Sequence, residues 1–169
     1  PYTTLFRSRC PDPGAGAHGR RHHGARGDGG GDGEHERVLD SSCGTGGFLV
    51  ETLNYLNKVF HEEKRISAGS ENTEEFISIR DRLANYAAKN LFGADFDPFL
   101  VRAAQMNVMM AGNSLGNLYH MNSLEFPMGH LPGVQPAKEK IPLGTIDVLM
   151  TNPPFGSDIP VTEKTILEQ

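Results

Sequence analysis

Four short clusters carry residue types whose spacing suits chemistry: DSSCGTGGF at 40–48, GADFDP at 93–98, NSL at 122–124 and TNPPFG at 151–156. The last is the most specific. An exocyclic amine on a planar ring is a poor nucleophile because its lone pair is delocalised into the ring. The Asn152 side-chain oxygen and the Pro153 carbonyl can together accept both hydrogens of such an amine. That grip turns the lone pair outward, combining positioning with electrostatic stabilisation. Pro153 and Pro154 lock the backbone, and Phe155 offers a flat face for stacking. In the first cluster, Gly44, Gly46 and Gly47 let the chain turn sharply and approach a ligand where a Cβ would collide. A helix opening at Phe48 aims its unpaired N–H groups at the same spot. A nucleotide-type cofactor suits such a cradle. The spacing is not GxGxxG, and the Lys-Ser/Thr pair of a triphosphate loop is missing. Cys43 has no flanking His or second Cys, so it reads as a small loop residue rather than a nucleophile.

Asp95, at the end of a strand, is placed to accept both ribose hydroxyls of an adenosine moiety. Phe96 can pack on the adenine ring, and Asp97 is better explained as a helix cap. Asn122 can accept one hydrogen bond through its side-chain oxygen, and a plain strand-end Asn is the equal alternative. His18, His22, His23 and His35 form no coherent ligand set, so no metal site is expected. Met106, Met109 and Met110 read as core filler on one helix, and Glu62, Glu63, Glu74 and Glu75 as a solvated loop.

The elements that must position these clusters follow from periodicity. Val38–Asp40 is a short apolar strand ahead of the glycine turn. Leu49, Leu53, Leu56 and Phe60 recur at helical spacing, predicting a helix over 48–60. The polar run HEEKRISAGSENTEE reads as a loop or insertion. A second helix is expected over 77–90, then a strand at LFGAD. Asp97 and Pro98 form an N-cap and first-turn pair. They open a helix that turns Leu100, Val101, Ala104 and Val108 inward and stops near Gly112. NLYHM is the next strand, 126–144 a Pro/Gly-rich loop, and IDVLM a strand running into TNPPF. Strands alternating with helices predict an α/β fold with an open, mostly parallel sheet. Ligands of such sheets sit beyond the carboxyl ends of the strands. Every cluster falls at such an end.

The 169 residues carry a net charge of −5 and a mean hydropathy of −0.41. The whole negative excess lies from Arg37 onward, and no basic run follows it, which argues against a chain that holds nucleic acid alone. No apolar run is long enough for a membrane span, and the start lacks a secretory pattern. Two cysteines, Cys10 and Cys43, suit a reducing, cytoplasmic setting. Residues 1–36 differ sharply from 37–169. From Ser8 to Glu36 no Val, Ile, Leu, Met, Phe, Tyr or Trp occurs, so the leader is expected to be disordered. Its opening octet PYTTLFRS resembles a translated sequencing adapter, and a non-native origin up to about residue 32 is expected, with the natural frame resuming near GEHERVLD.

DSSCGTGGF resembles the D-P-A-C-G-T-G-G-F segment of N6-adenine DNA methyltransferases of the type I restriction-modification class, in their modification subunit. Ser41-Ser42 replace the usual Pro-Ala and remove no ligand-binding group. The resemblance runs from about Gly33 to the end of the chain. It implies a Rossmann-like methyltransferase fold, here an incomplete one, with the segment 37–169 as the first part of the catalytic domain. It implies S-adenosylmethionine as cofactor, its methionine part held by Asp40, Cys43, Gly44, Thr45, Gly46, Gly47 and Phe48. Asp95 and Phe96 then meet the ribose and adenine. Asn122 and Ser123 help place the adenine, with Asn122 standing where the family commonly has Asp. Asn152, Pro153, Pro154 and Phe155 grip an adenine flipped out of double-stranded DNA. Specificity and restriction subunits of a type I complex are the implied partners. The alternative substrate is a protein glutamine or an RNA base, offered to the same Asn-Pro-Pro-aromatic geometry. Phe155 and the following Gly156-Ser157 favour DNA. The chain alone is expected to be marginally folded and inactive, because half a sheet leaves an edge unpaired.

Overall fold

The computed structural model describes residues 4–7, 35–68 and 73–153. Strands β1 (Thr4–Arg7), β2 (Val38–Asp40), β3 (Leu91–Asp95), β4 (Asn117–His120) and β5 (Val148–Thr151) form one sheet in the order β1-β5-β2-β3-β4. The four strands β5, β2, β3 and β4 run parallel, and β1 lies antiparallel on β5. The open, mostly parallel sheet with flanking helices is the α/β arrangement that the alternating pattern predicted, and it agrees with the Rossmann-like fold that the resemblance implied. Within the leader, Thr4–Arg7 forms a strand. The free edge of β5 presents unpaired N–H and C=O groups, and an extended segment satisfies them.

Helix α1 spans Gly47–Ala68 and α2 spans Thr73–Asn90, so most of the polar run read as a loop is helical. The apolar stripe of α1 ends at Phe60, and beyond it the helix continues on polar residues. Arg82 of α2 explains part of that extension: its guanidinium stacks 3.8 Å from the Phe60 ring centroid and pairs with Glu63 at 3.2 Å. Glu62 and Glu63 therefore sit on α1, and Glu74 and Glu75 fall within α2, not in a loop.

Helix α3 (Pro98–Gly112) starts as expected, with Asp97 Oδ1 accepting the Phe99 N–H at 2.7 Å. It ends at Asn113, which takes a left-handed φ of 53°. Val101, Ala104 and Val108 are its buried stripe. Met106, Met109 and Met110 fall outside that stripe and are 66%, 51% and 77% exposed, which corrects their reading as core filler. A short helix α4 (Val134–Lys140) interrupts the expected long loop, burying Val134 and Ala137.

Alternation along the strands divides the core in two. Leu91 of β3 and Leu118 of β4 face α1, α2 and α3, whereas Phe92, Ala94 and Tyr119 join Val134 and Ala137 of α4. Fully burying Leu49, Leu53 and Phe60 of α1 contributes about 1.5–3 kcal/mol each, and all three are at most 1% exposed. Arg37 locks the sheet to the loop before β5. Its N–H donates to Asp147 Oδ2 at 2.8 Å, and its guanidinium lies 4.7 Å from the Phe92 centroid and bonds the carbonyls of Lys140 and Thr145.

Candidate active site at the strand termini

Because β5, β2, β3 and β4 are parallel, their carboxyl ends open on one edge of the sheet. Asp40 pairs in register with Met150 on one side and Gly93 on the other, and Asp95 pairs with His120. Asn152 thus sits two residues past the level of Asp40 on the adjacent strand. Backbone bonds cross between these ends: Ser41 N–H to the Met150 carbonyl at 3.3 Å, Cys43 N–H to Ala94 at 2.9 Å, and Met121 N–H to Asp95 at 3.0 Å.

The glycine turn is pinned residue by residue. Gly44 and Gly46 take φ values of 53° and 84°, the left-handed region where a Cβ is disfavoured. Gly44 N–H donates to Asp95 Oδ2 at 2.9 Å, and Gly46 N–H to the Cys43 carbonyl at 2.7 Å. The Ser123 hydroxyl donates to the Ser41 carbonyl at 2.7 Å. The Asn107 Nδ2 donates to the Thr45 carbonyl at 2.9 Å.

Beside this turn lies a cleft of about 830 Å³, lined by Asp40, Cys43, Gly44, Thr45, Gly47, Phe48 and Asn152. The glycine loop and the final Asn-Pro turn therefore share one opening. Pro153 is exposed at the end of the described residues, while Pro154 and Phe155 lie outside them.

The remaining sequence-predicted residues stand apart from that cleft. The Asp95 carboxylate accepts Gly44 N–H on one oxygen and Asp97 N–H, at 2.9 Å, on the other. It retains further lone pairs for a ligand, but it first ties the glycine turn to β3. Phe96 is 45% exposed next to it. Asn122 is buried, and its Oδ1 accepts Leu124 N–H at 3.2 Å, capping the 3-10 turn Ser123–Glu125. Glu51 and Asn107, which sequence reasoning passed over, also line the cleft, as does Met110, read from sequence as core filler. Nothing in the local pattern marked Asn107, a polar residue three positions after buried Ala104.

A family model described as N-6 DNA methylase matches residues 31–169. The chain belongs to the N-6 DNA methylase family. It is also similar to a solved chain described as a modification subunit of a type I restriction enzyme from Vibrio vulnificus YJ016. The identity is 29% and the TM-score 0.38, over 55% of this chain and 16% of that one. The matched segment thus spans about one sixth of the neighbour's length. The family match begins six residues before Arg37, close to the composition change.

In this N-6 DNA methylase family member the site is acidic. Burial pushes the Asp40 carboxyl up to about 6, with the Ser42 N–H at 3.1 Å opposing and the Asp95 charge reinforcing the rise. Burial, helped by Asp40 and Asp95, pushes the Cys43 thiol up to about 12. Such a thiol stays protonated at neutral pH and is no nucleophile. Among the described residues no group of three His, Cys, Asp or Glu side chains could hold a metal ion. No helix among them is long and apolar enough to cross a membrane.

The Asp40 shift has a sign for stability. The folded chain holds a proton on Asp40 up to about pH 6, whereas the unfolded chain releases it near 4. The stabilisation from that proton is complete below the unfolded value and lost as pH rises through the folded one. Asp40→Asn keeps an acceptor for Ser42 N–H and removes the buried charge. We expect it to raise stability at pH 7 by about 1–3 kcal/mol and to flatten the pH dependence between 4 and 6. Thermal unfolding of both proteins across that range checks this; a variant less stable at pH 7 would contradict it.

Proposed function

We propose that the chain is the cofactor-binding part of a modification subunit that methylates the exocyclic N6 of adenine in DNA, within a type I restriction-modification complex. The single observation that carries the reading is the shared cleft, lined by both the glycine turn and Asn152. S-adenosylmethionine, when bound, supplies an electrophilic methyl group on a positively charged sulfur. The residues present fit it. Asp40 is the buried carboxylate of the cleft, largely ionised at neutral pH, and suits the ammonium group of the amino-acid end. The turn at Gly44 and Gly46 gives a cradle in which a backbone can approach closely. Asp95 keeps acceptor capacity for ribose hydroxyls, and Phe96 keeps an exposed ring for the adenine. Ser123 holds the loop from the β4 side.

The chemistry left to the protein is positioning. The Asn152 oxygen and the Pro153 carbonyl accept the two hydrogens of the adenine amine. The nitrogen lone pair would then be directed at the methyl carbon. The N–C bond formed would replace the sulfur–methyl bond, whose electron pair stays on the now neutral sulfur, and the amine would give up one of its hydrogens as a proton to solvent. Pro154 and Phe155 extend this role as a rigid backbone and a stacking face for a base out of its duplex. A chain with net charge −5 takes its main phosphate contacts from the rest of the assembly, which accords with specificity and restriction subunits as partners and a cytoplasmic setting.

The test is isotope-labelled methyl transfer by the full-length protein with its partner subunits, offered DNA, RNA and protein in parallel. Label recovered as N6-methyladenine in DNA is the expected result. Label confined to a glutamine side chain or to RNA would overturn the substrate, and no transfer to any acceptor would overturn the reaction.

A further inference from the structure

Thr45 stands between two residues with left-handed φ, Gly44 and Gly46. Glycine on both sides leaves the peptide units around Thr45 nearly free to rotate, so their orientation must be set by hydrogen bonds. The unit joining Thr45 to Gly46 is held on both sides. Its N–H donates to the Cys43 carbonyl at 2.7 Å, and its carbonyl accepts from Asn107 Nδ2 at 2.9 Å. The first bond lies within the turn itself. The second comes from α3, 62 residues away in sequence, and is the long-range restraint on that carbonyl.

Asn107 does not act alone. One helical turn earlier, Ala104 is fully buried against the glycine turn: a Cβ added at Gly46 would lie 3.2 Å from its Cβ and 3.3 Å from its Cα. Ala104 and Asn107, three apart, share a face of α3. One supplies close packing under the turn and the other a directed hydrogen bond. Asn107 also lines the cleft in which Gly44, Thr45, Gly47 and Asn152 meet.

From this geometry we infer that Asn107 is a positioning residue for cofactor binding, holding the Thr45–Gly46 peptide in the one orientation that leaves the turn open to a ligand. The inference rests on the reading of the cleft as a cofactor site. Its effect falls on binding, since the turn contacts the cofactor rather than the amine. Asn107→Ala frees the Thr45 carbonyl and lets the peptide rotate. Asn107→Asp keeps the shape, but at neutral pH presents an oxygen to that carbonyl instead of a donor.

The experiment uses the full-length protein with its partner subunits and S-adenosylhomocysteine as the calorimetric probe. Both variants are expected to bind it roughly fivefold to tenfold more weakly. Asp should be no better than Ala, and the melting temperatures should stay close to the parent's. In turnover, KM for S-adenosylmethionine should rise by a similar factor while kcat falls less than twofold. Asn107→Asp binding as tightly as the parent would overturn the inference, because a merely space-filling Asn tolerates that change. So would a loss confined to kcat. Parent protein that binds the probe but transfers no methyl group to any acceptor would overturn the proposed reaction and leave the Asn107 comparison intact. Parent protein that does not bind the probe would overturn both.

Discussion

Asn152→Ala should lower kcat by about 10²–10³-fold, the usual consequence of deleting one preorganised partner aimed at developing charge. Asn152 lines the cleft that the glycine turn also lines, just past the end of β5. On the proposed reading, its loss leaves the Pro153 carbonyl as the sole remaining acceptor from that pair. With one hydrogen released, the amine regains its planar delocalised form and the lone pair returns to the ring. Little stability should be lost, because Asn152 is exposed. Binding of S-adenosylhomocysteine should hold within about twofold, since the cradle is the turn from β2 into α1, tied to β3 and α3. Single-turnover methylation of adenine-containing DNA at saturating cofactor is the measurement. A variant retaining a tenth or more of the parent rate would remove Asn152 from the chemistry. Asn152→Asp is an informative companion: the carboxylate still accepts, so a smaller loss than with Ala is expected.

Gly46→Ala is expected to damage both fold and binding. At a φ of 84° an L side chain costs about 1–3 kcal/mol in backbone strain. The new methyl would also press on Ala104 at 3.2 Å from its Cβ and 3.3 Å from its Cα, and a helix backbone yields far less readily than a flexible side-chain end. The turn must rise off α3, which breaks the alignment of Asn107 with Thr45. We expect a melting temperature several degrees lower and cofactor affinity reduced more than tenfold. Gly47→Ala is the control for stability. Gly47 has a negative φ and no atom within 4 Å of a built Cβ, and it opens a helix in which Ala is favoured. Stability there should change by no more than about 0.5 kcal/mol. If Gly46→Ala unfolds no earlier than Gly47→Ala, the close approach to α3 is not what the glycine is for.

Much of this protein was legible before any tertiary structure. The parallel strands, the helix opened by Asp97 and Pro98, and the placement of each cluster at a strand terminus follow from local pattern. Alternation, helical periodicity and capping are properties of neighbours in sequence. Local pattern served less well where a helix is stabilised from outside. Residues 61–68 have no apolar stripe of their own, and α1 continues there beside the Arg82 contacts to Phe60 and Glu63. The three methionines of α3 looked like core because their type is apolar, yet helix packing selects a face and not a composition. Val101, Ala104 and Val108 occupy that face, so Met106, Met109 and Met110 are left outside it.

The site divides along the same line. The glycine turn, Asp95 and the Asn-Pro turn drew attention because all three fall at strand ends in one order, although each alone also reads as an ordinary turn or strand-end residue. Which residues would meet was decided by the sheet. The β5-β2-β3-β4 order sets Asn152 beside Asp40, although 112 positions separate them in sequence. That same order gives Asp95 a duty no local reading could assign, bonding Gly44 across two strands. Asn107 became visible only once α3 was laid against the turn, since a hydrogen bond between residues 62 apart leaves no trace in the pattern of either segment.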